Sequence, residues 1–189
     1  MSAPARPGPR DRLIQAAREL TYQQGFTVGV DAILARAGVA RASLYQHFGG
    51  KDGLLAEVLR TATDEQRYRD ALAAGGDRPR DRLRAFFDEL RRVVSQPRFH
   101  GCRYTMAALT LTDPEHPTHT EIRNFKNRIH ALFEQELRDL DHPDPVFAAD
   151  QLLVLTDGVM MQAVTRRGTD PGRAAKALAE MVLDQASGD

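Results

Sequence analysis

The chain has 189 residues, enough for one domain with a sizeable core, and balances 26 Lys and Arg against 26 Asp and Glu. A single cysteine, Cys102, excludes an intrachain disulfide framework and fits a reducing compartment. No run of eighteen apolar residues occurs, and "MSAPARPGPR" lacks the apolar segment of a secretory signal. Neither a membrane span nor export is therefore expected, and the chain reads as soluble and cytoplasmic.

Residues 1–9 are rich in Pro, Ala and Gly and read as a disordered N-terminal arm. From Asp11 a helix gathers Leu13, Ala17 and Leu20, with Ile14, Ala16 and Thr21 alongside, on one face, and Gly25 stops it. "VDAILARAG" is a short helix ending at Gly38, which adopts the left-handed conformation at low cost. "ARASLYQHF" is a second short helix, closed by Gly49 and Gly50. A longer helix starts near Lys51 and carries Leu54, Leu55, Val58, Leu59 and Ala62 ahead of the "AAGGD" break.

The helical pattern continues beyond that break. "PRDRLRAFFDELRRVVSQP" sets Leu83, Phe86, Phe87, Leu90, Val93 and Val94 on one stripe, with its arginines elsewhere. "GCRYTMAALTLTDPEHP" reads as a helix followed by a proline-rich connection. "THTEIRNFKNRIHALFEQELRDL" is amphipathic through Ile122, Phe125, Ile129, Leu132, Phe133 and Leu137. Helix 145–167 has too wide an apolar surface for a surface helix, and the closing helix has Asp170 as N-cap and Pro171 at its first position. The predicted fold is all-α. A helix-turn-helix domain spans 10–60, and a larger helical body spans 61–189.

Two short helices joined by a Gly-containing turn follow the helix-turn-helix plan. Ile33, Leu34, Ala37, Val39, Leu44 and Phe48 can pack on the first helix and fix the angle of the second short one. Its other face keeps Arg41, Ala42, Ser43, Tyr45, Gln46 and His47. These supply small residues for close approach, donors for phosphates and long side chains for base edges. Lys51 sits in the first turn of a helix, where a cation opposes the macrodipole by roughly 0.3–1 kcal/mol. That position makes sense where a phosphate docks. Charge is also uneven: residues 1–60 hold eight Lys and Arg against five Asp and Glu, and the remainder eighteen against twenty-one.

Residues 10–59, through "GF" and then "VDAILARAGVARASLYQHFGGKDGLLAEVL", resemble the DNA-binding domain of the TetR/AcrR family of transcriptional repressors. The resemblance implies a homodimer that binds a palindromic double-stranded operator and is released by a small-molecule effector, without enzymatic activity. Tyr45, His47 and Lys51 fall where the family touches phosphates, and Arg41, Ala42, Ser43 and Gln46 fall on the base-facing surface. Three positions depart from the pattern. Gly29 and Gly50 stand where hydroxyl caps are frequent, and Leu34 where Ala is common. Thr27 is a candidate for the backbone contact that Gly29 cannot make.

In the body, the resemblance implies a four-helix interface from the last two helices and their symmetry mates, with Leu155, Gly158, Val159, Leu178 and Met181 as candidates. It also implies an effector pocket. Tyr104, Met106, Phe125, Phe133, Met160, Met161, Gln162 and Thr165 offer an apolar, adaptable wall with few polar groups. Arg103 and Arg128 are possible anion partners. His116 and His119, with His100, His130 and His142, lack strong metal spacing, so neither metal nor cofactor is expected. Cys102 reads either as an inert thiol or as a redox sensor beside Arg103. A helical hydrolase using the histidines and a protein-binding head remain the alternatives to a DNA-binding regulator.

Overall fold

The computed structural model describes residues 7–186, and the regular structure among them is entirely helical. The helices are α1 (Pro9–Gln24), α2 (Val30–Ala37), α3 (Arg41–Phe48), α4 (Lys51–Arg60), α5 (Asp64–Ala74), α6 (Pro79–Val94), α7 (Arg103–Thr110), α8 (Thr118–Asp139), α9 (Pro145–Thr165) and α10 (Pro171–Leu183). Of the N-terminal arm, residues 1–6 lie outside the described residues, and α1 already begins at Pro9. Proline suits this first position because its missing N–H would have no helical partner there.

The chain divides into two compact units. The first holds the described residues up to Ala62 together with Arg103–Arg123, and the second holds Thr63–Cys102 with the described residues from Asn124 onward. A boundary at residue 60 would leave α7 with the body, whereas the contacts put it with α1–α4. Tyr104 is buried and its hydroxyl donates to the Leu59 carbonyl at 3.1 Å. The Arg103 guanidinium lies 5.4 Å above the Tyr22 ring.

In the first unit, α1 buries Leu13, Ile14, Ala16, Ala17, Leu20 and Thr21, the face expected from the sequence. It packs against α2, α3 and α4. The helix read as continuous from Lys51 is broken: α4 ends at Arg60 and α5 starts at Asp64. The end of α4 is held both locally, by the Thr61 hydroxyl donating to the Glu57 carbonyl at 2.7 Å, and from α1. Arg18 of α1 donates to the Thr61 carbonyl at 2.9 Å and to its hydroxyl at 3.1 Å, partnering a carbonyl at the helix end.

In the second unit, α6 packs against α5, α9 and α10. Its stripe of Leu83, Phe86, Phe87, Leu90 and Val94 is buried, and Phe86 makes edge contacts with Tyr68, Phe87 and Phe133. Burial pushes the Tyr68 hydroxyl far above its ordinary pKa. Three arginines of α6 form the seam with α10, while Arg82 turns to Glu136 and Asp139 of α8. Arg84 grips both Glu180 oxygens at 2.7 and 2.9 Å, Arg80 meets Asp184 at 2.6 Å, and Arg91 meets Asp170 at 2.6 Å. Lys176 returns the contact to Asp88. Each exposed pair contributes about 0–1 kcal/mol, so the row fixes register more than it stabilises.

Candidate nucleic-acid interface

The helix pair is built from its turn outward. Gly38 ends α2 at φ 60°, ψ 46°, with its N–H on the Ala35 carbonyl, and the Val39 N–H returns to Leu34. A side chain would be strained there, so glycine sets the reversal. Arg12 of α1 donates to the Ala37 and Gly38 carbonyls at 3.1 and 3.0 Å, giving the last carbonyls of α2 a cation. Ile33, Leu34, Ala37 and Leu44 are buried in one cluster with α1, and Val39 and Phe48 pack at its edge. These are the residues expected to fix the angle of α3.

With Leu44 buried, the opposite face of α3 is left in solvent. Arg41, Ala42, Tyr45, Gln46 and His47 are exposed and Ser43 is half-buried. Thr27 is exposed between Phe26 and Val28, both buried, so it projects from the loop entering α2. Lys51 is the first residue of α4, behind Gly50, and makes no ion pair among the described residues. Its neighbour Asp52 lies 3.3 Å from Nε2 of His116, whose Nδ1 accepts the Thr118 N–H. The α7–α8 connection thereby braces the start of α4.

The charge surplus of the head has another use than the one the sequence implied. Arg10 pairs with Glu57 and lies over the Phe48 ring, while Arg12 and Arg18 cap helix ends. Arg36 binds Glu19 and holds its carboxyl below the usual range, and Arg60 does the same to Glu57. These arginines hold the scaffold. Arg41 pairs with Asp31, both in solvent, and among the described residues Lys51 has no counter-charge in an ion pair. No signal in the sequence separates bracing arginines from DNA-facing ones, because only the fold brings their partners near.

The family model for bacterial regulatory proteins of the tetR family matches residues 13–58. The HTH-type transcriptional regulator BetI of Stenotrophomonas maltophilia is 30% identical over 166 residues, covering 82% of this chain and 81% of that protein. The chain belongs to the TetR family. Solved structures of TetR regulators match along nearly the whole chain. A TetR-family transcriptional regulator from Streptomyces coelicolor is 28% identical with a TM-score of 0.84, covering 95% of this chain and 96% of its own. The reduced form of NemR from Escherichia coli is 25% identical with a TM-score of 0.82, covering 92% and 95%. The protein is thus a TetR-family transcriptional regulator with a helix-turn-helix DNA-binding domain.

The remaining candidates of this TetR chain fall in distinct settings. Tyr104 and the half-buried Met106 belong to the first unit. Phe125 and Phe133 are buried in the second, in its aromatic core. Met161, Gln162 and Thr165 are exposed near the end of α9, and Gln162 lines an open groove of about 440 Å³ between α9 and α10. Leu155, Gly158, Val159 and Leu178 line the same groove. Val159 is buried within its own chain, whereas Val154 is 71%, Met181 64% and Leu178 48% exposed. The widely apolar α9 therefore serves two surfaces. Ala148, Ala149, Leu152, Val159 and Met160 face its own core, while Phe147, Val154 and Met161 face outward.

The histidines have local partners. His116 bonds Thr118, His119 Nε2 lies 2.8 Å from the Leu111 carbonyl, and His130 lies between Glu134 and Asp150. Buried His142 accepts the Asp144 N–H at Nδ1 and places Nε2 3.1 Å from the Val182 carbonyl. Among the described residues no group of three or more His, Cys, Asp and Glu is placed to hold a metal ion. No helix among them is long and apolar enough to cross a membrane.

Proposed function

We propose that this regulator is a ligand-responsive cytoplasmic repressor that binds a palindromic operator as a homodimer and leaves it when a small-molecule effector occupies the body. The observation that carries the DNA-reading part is the exposed polar face of α3, held by a buried Leu44, beside Lys51 at the start of α4, which has no ion pair among the described residues. Arg41 and Gln46 read base edges. Tyr45, His47, Lys51 and Thr27 position the backbone, and Ala42 and Ser43 permit close approach.

The exposed apolar faces of α9 and α10 support the homodimer, because a monomer seldom leaves so many large apolar side chains in one region. Leu155, Gly158, Leu178 and Met181 form that interface, with Val159 as support from beneath. Two heads held about 34–36 Å apart, or a multiple of it, then meet successive half-sites on one side of the duplex. The effector acts by preferring a geometry that cannot span both. Phe125, Phe133, Met161, Gln162 and Thr165, all in the second unit, are its candidate contacts.

The test is a gel shift of the purified protein against the duplex upstream of its own coding sequence, across a salt series. A steep fall of log affinity with log salt is expected, because each neutralised phosphate releases counterions. Binding that is absent, or insensitive to salt, would refute the reading.

A further inference from the structure

We propose that Asp31 is a specificity-determining residue: paired with the Arg41 guanidinium across the α2–α3 turn, it positions that side chain for a base edge. The inference rests on the reading of α3 as the DNA-reading helix and adds a residue from α2 to its site.

Asp31 is the second residue of α2 and Arg41 the first of α3, and their side chains are 87% and 52% exposed. A single pair so wet holds little of the fold together. Nor is it needed to set the two helices, which Ile33, Leu34, Ala37 and Leu44 already fix from beneath. Its effect falls on the arginine. An unheld guanidinium on a long side chain must lose rotamer freedom on docking, and it attracts any phosphate in reach. Paired with Asp31 through Nη2, Arg41 has its charge partly offset and its side chain biased toward one placement. Its Nε–H, its Nη1 and the second Nη2 proton stay free for the paired acceptors O6 and N7 of guanine.

The sign of the charge supports the same reading. A carboxylate on a phosphate-facing surface opposes binding to every DNA sequence. Asp31 does favour the start of α2 through the helix dipole, but that role requires no contact with Arg41. A pair that lowers general affinity while keeping the hydrogen-bond donors aimed raises the ratio of specific to non-specific binding, which is what a regulator among many competing sites needs.

The experiment selects duplexes from a randomised pool with the parent. It then measures affinity for the enriched duplex, for its single-base variants and for sheared genomic DNA, using the parent, Asp31→Ala, Asp31→Asn, Arg41→Ala and Asp31→Ala/Arg41→Ala. Arg41→Ala should flatten preference at one base pair per half-site by about 5- to 150-fold, the range of a bidentate contact. Asp31→Ala and Asp31→Asn should flatten the same base pair by at least about 5-fold, with affinity for genomic DNA unchanged or higher. The double variant should lose no more preference than Arg41→Ala. If the parent enriches a sequence but both Asp31 variants keep its preference, or tighten on all DNA alike, the positioning role is overturned and α3 still reads DNA. If the parent enriches nothing, the reading of α3 itself falls, and the role of Asp31 with it.

Discussion

Gly53→Ala tests whether the junction of α3 and α4 is as closely packed as it stands. A Cβ at Gly53 would lie 2.0 Å from the Phe48 carbonyl oxygen and 3.1 Å from its carbon. The obstacle is the backbone at the end of α3, so no side-chain rotation relieves it. To reach an ordinary contact of 3.4 Å, the first turn of α4 must move away from α3 by more than an ångström. Overpacking of this kind costs about 1–3 kcal/mol. The gain of Ala over Gly in a helix, at most about 1 kcal/mol, offsets part of it. With a backbone atom at 2.0 Å the upper part of the overpacking range, about 2–3 kcal/mol, applies. The net loss is therefore about 1–2 kcal/mol, and at about 2–4 °C per kcal/mol for a chain of this size the melting temperature falls by roughly 2–8 °C. The same displacement separates Lys51 from the face of α3, so affinity for a selected duplex should fall by at least about tenfold, an order-of-magnitude figure for losing alignment of one charged contact. Circular-dichroism melts and binding isotherms at fixed salt measure both. A Gly53→Ala protein that melts and binds like the parent would refute the packing argument.

Lys51→Gln should weaken binding to all sequences alike and reduce the salt slope by about one per subunit; an unchanged slope would mean that Lys51 touches no phosphate. Gly158→Leu has open space in a single chain, so any loss of dimer mass by light scattering, and of operator affinity with it, reports a partner's helix against that position. A folded, dimeric, tight-binding variant would remove Gly158 from the interface. Asp170→Ala removes the side chain that accepts the Arg173 N–H at 3.0 Å and receives Arg91, and should cost about 0.5–2 kcal/mol in thermal or urea unfolding at neutral pH. The hydrogen bond from Arg91 holds the Asp170 carboxyl below its ordinary value of 3.8. Its contribution is therefore complete above that pH and lost as the pH falls through the lower folded value, so the gap between parent and variant should close in acid. A gap that persists unchanged at low pH would assign the effect to packing instead.

Short-range signals made the head legible. Gly38 stops α2 because a left-handed turn excludes most side chains, and the spacing of Ile33, Leu34, Ala37 and Leu44 dictates which face of each short helix turns inward. Once that face is buried, Arg41, Tyr45, Gln46 and His47 have only solvent left to face. The Asp170 cap and Pro171 start were equally local, and the Arg173 N–H does bond to Asp170. What the sequence left open concerns partners far apart in the chain. Arg10, Arg12 and Arg18 counted as a basic surface, yet they brace α2, α4 and Phe48. The break after Arg60 carries no glycine or proline, and one of its partners is Arg18, 43 residues away. Likewise α7 joins the head through a hydroxyl reaching Leu59, and α9 divides its apolar residues between its own core and an open face. Periodicity tells which residues share a side of a helix. What covers that side, and which charge meets which, depends on elements that only tertiary packing brings together.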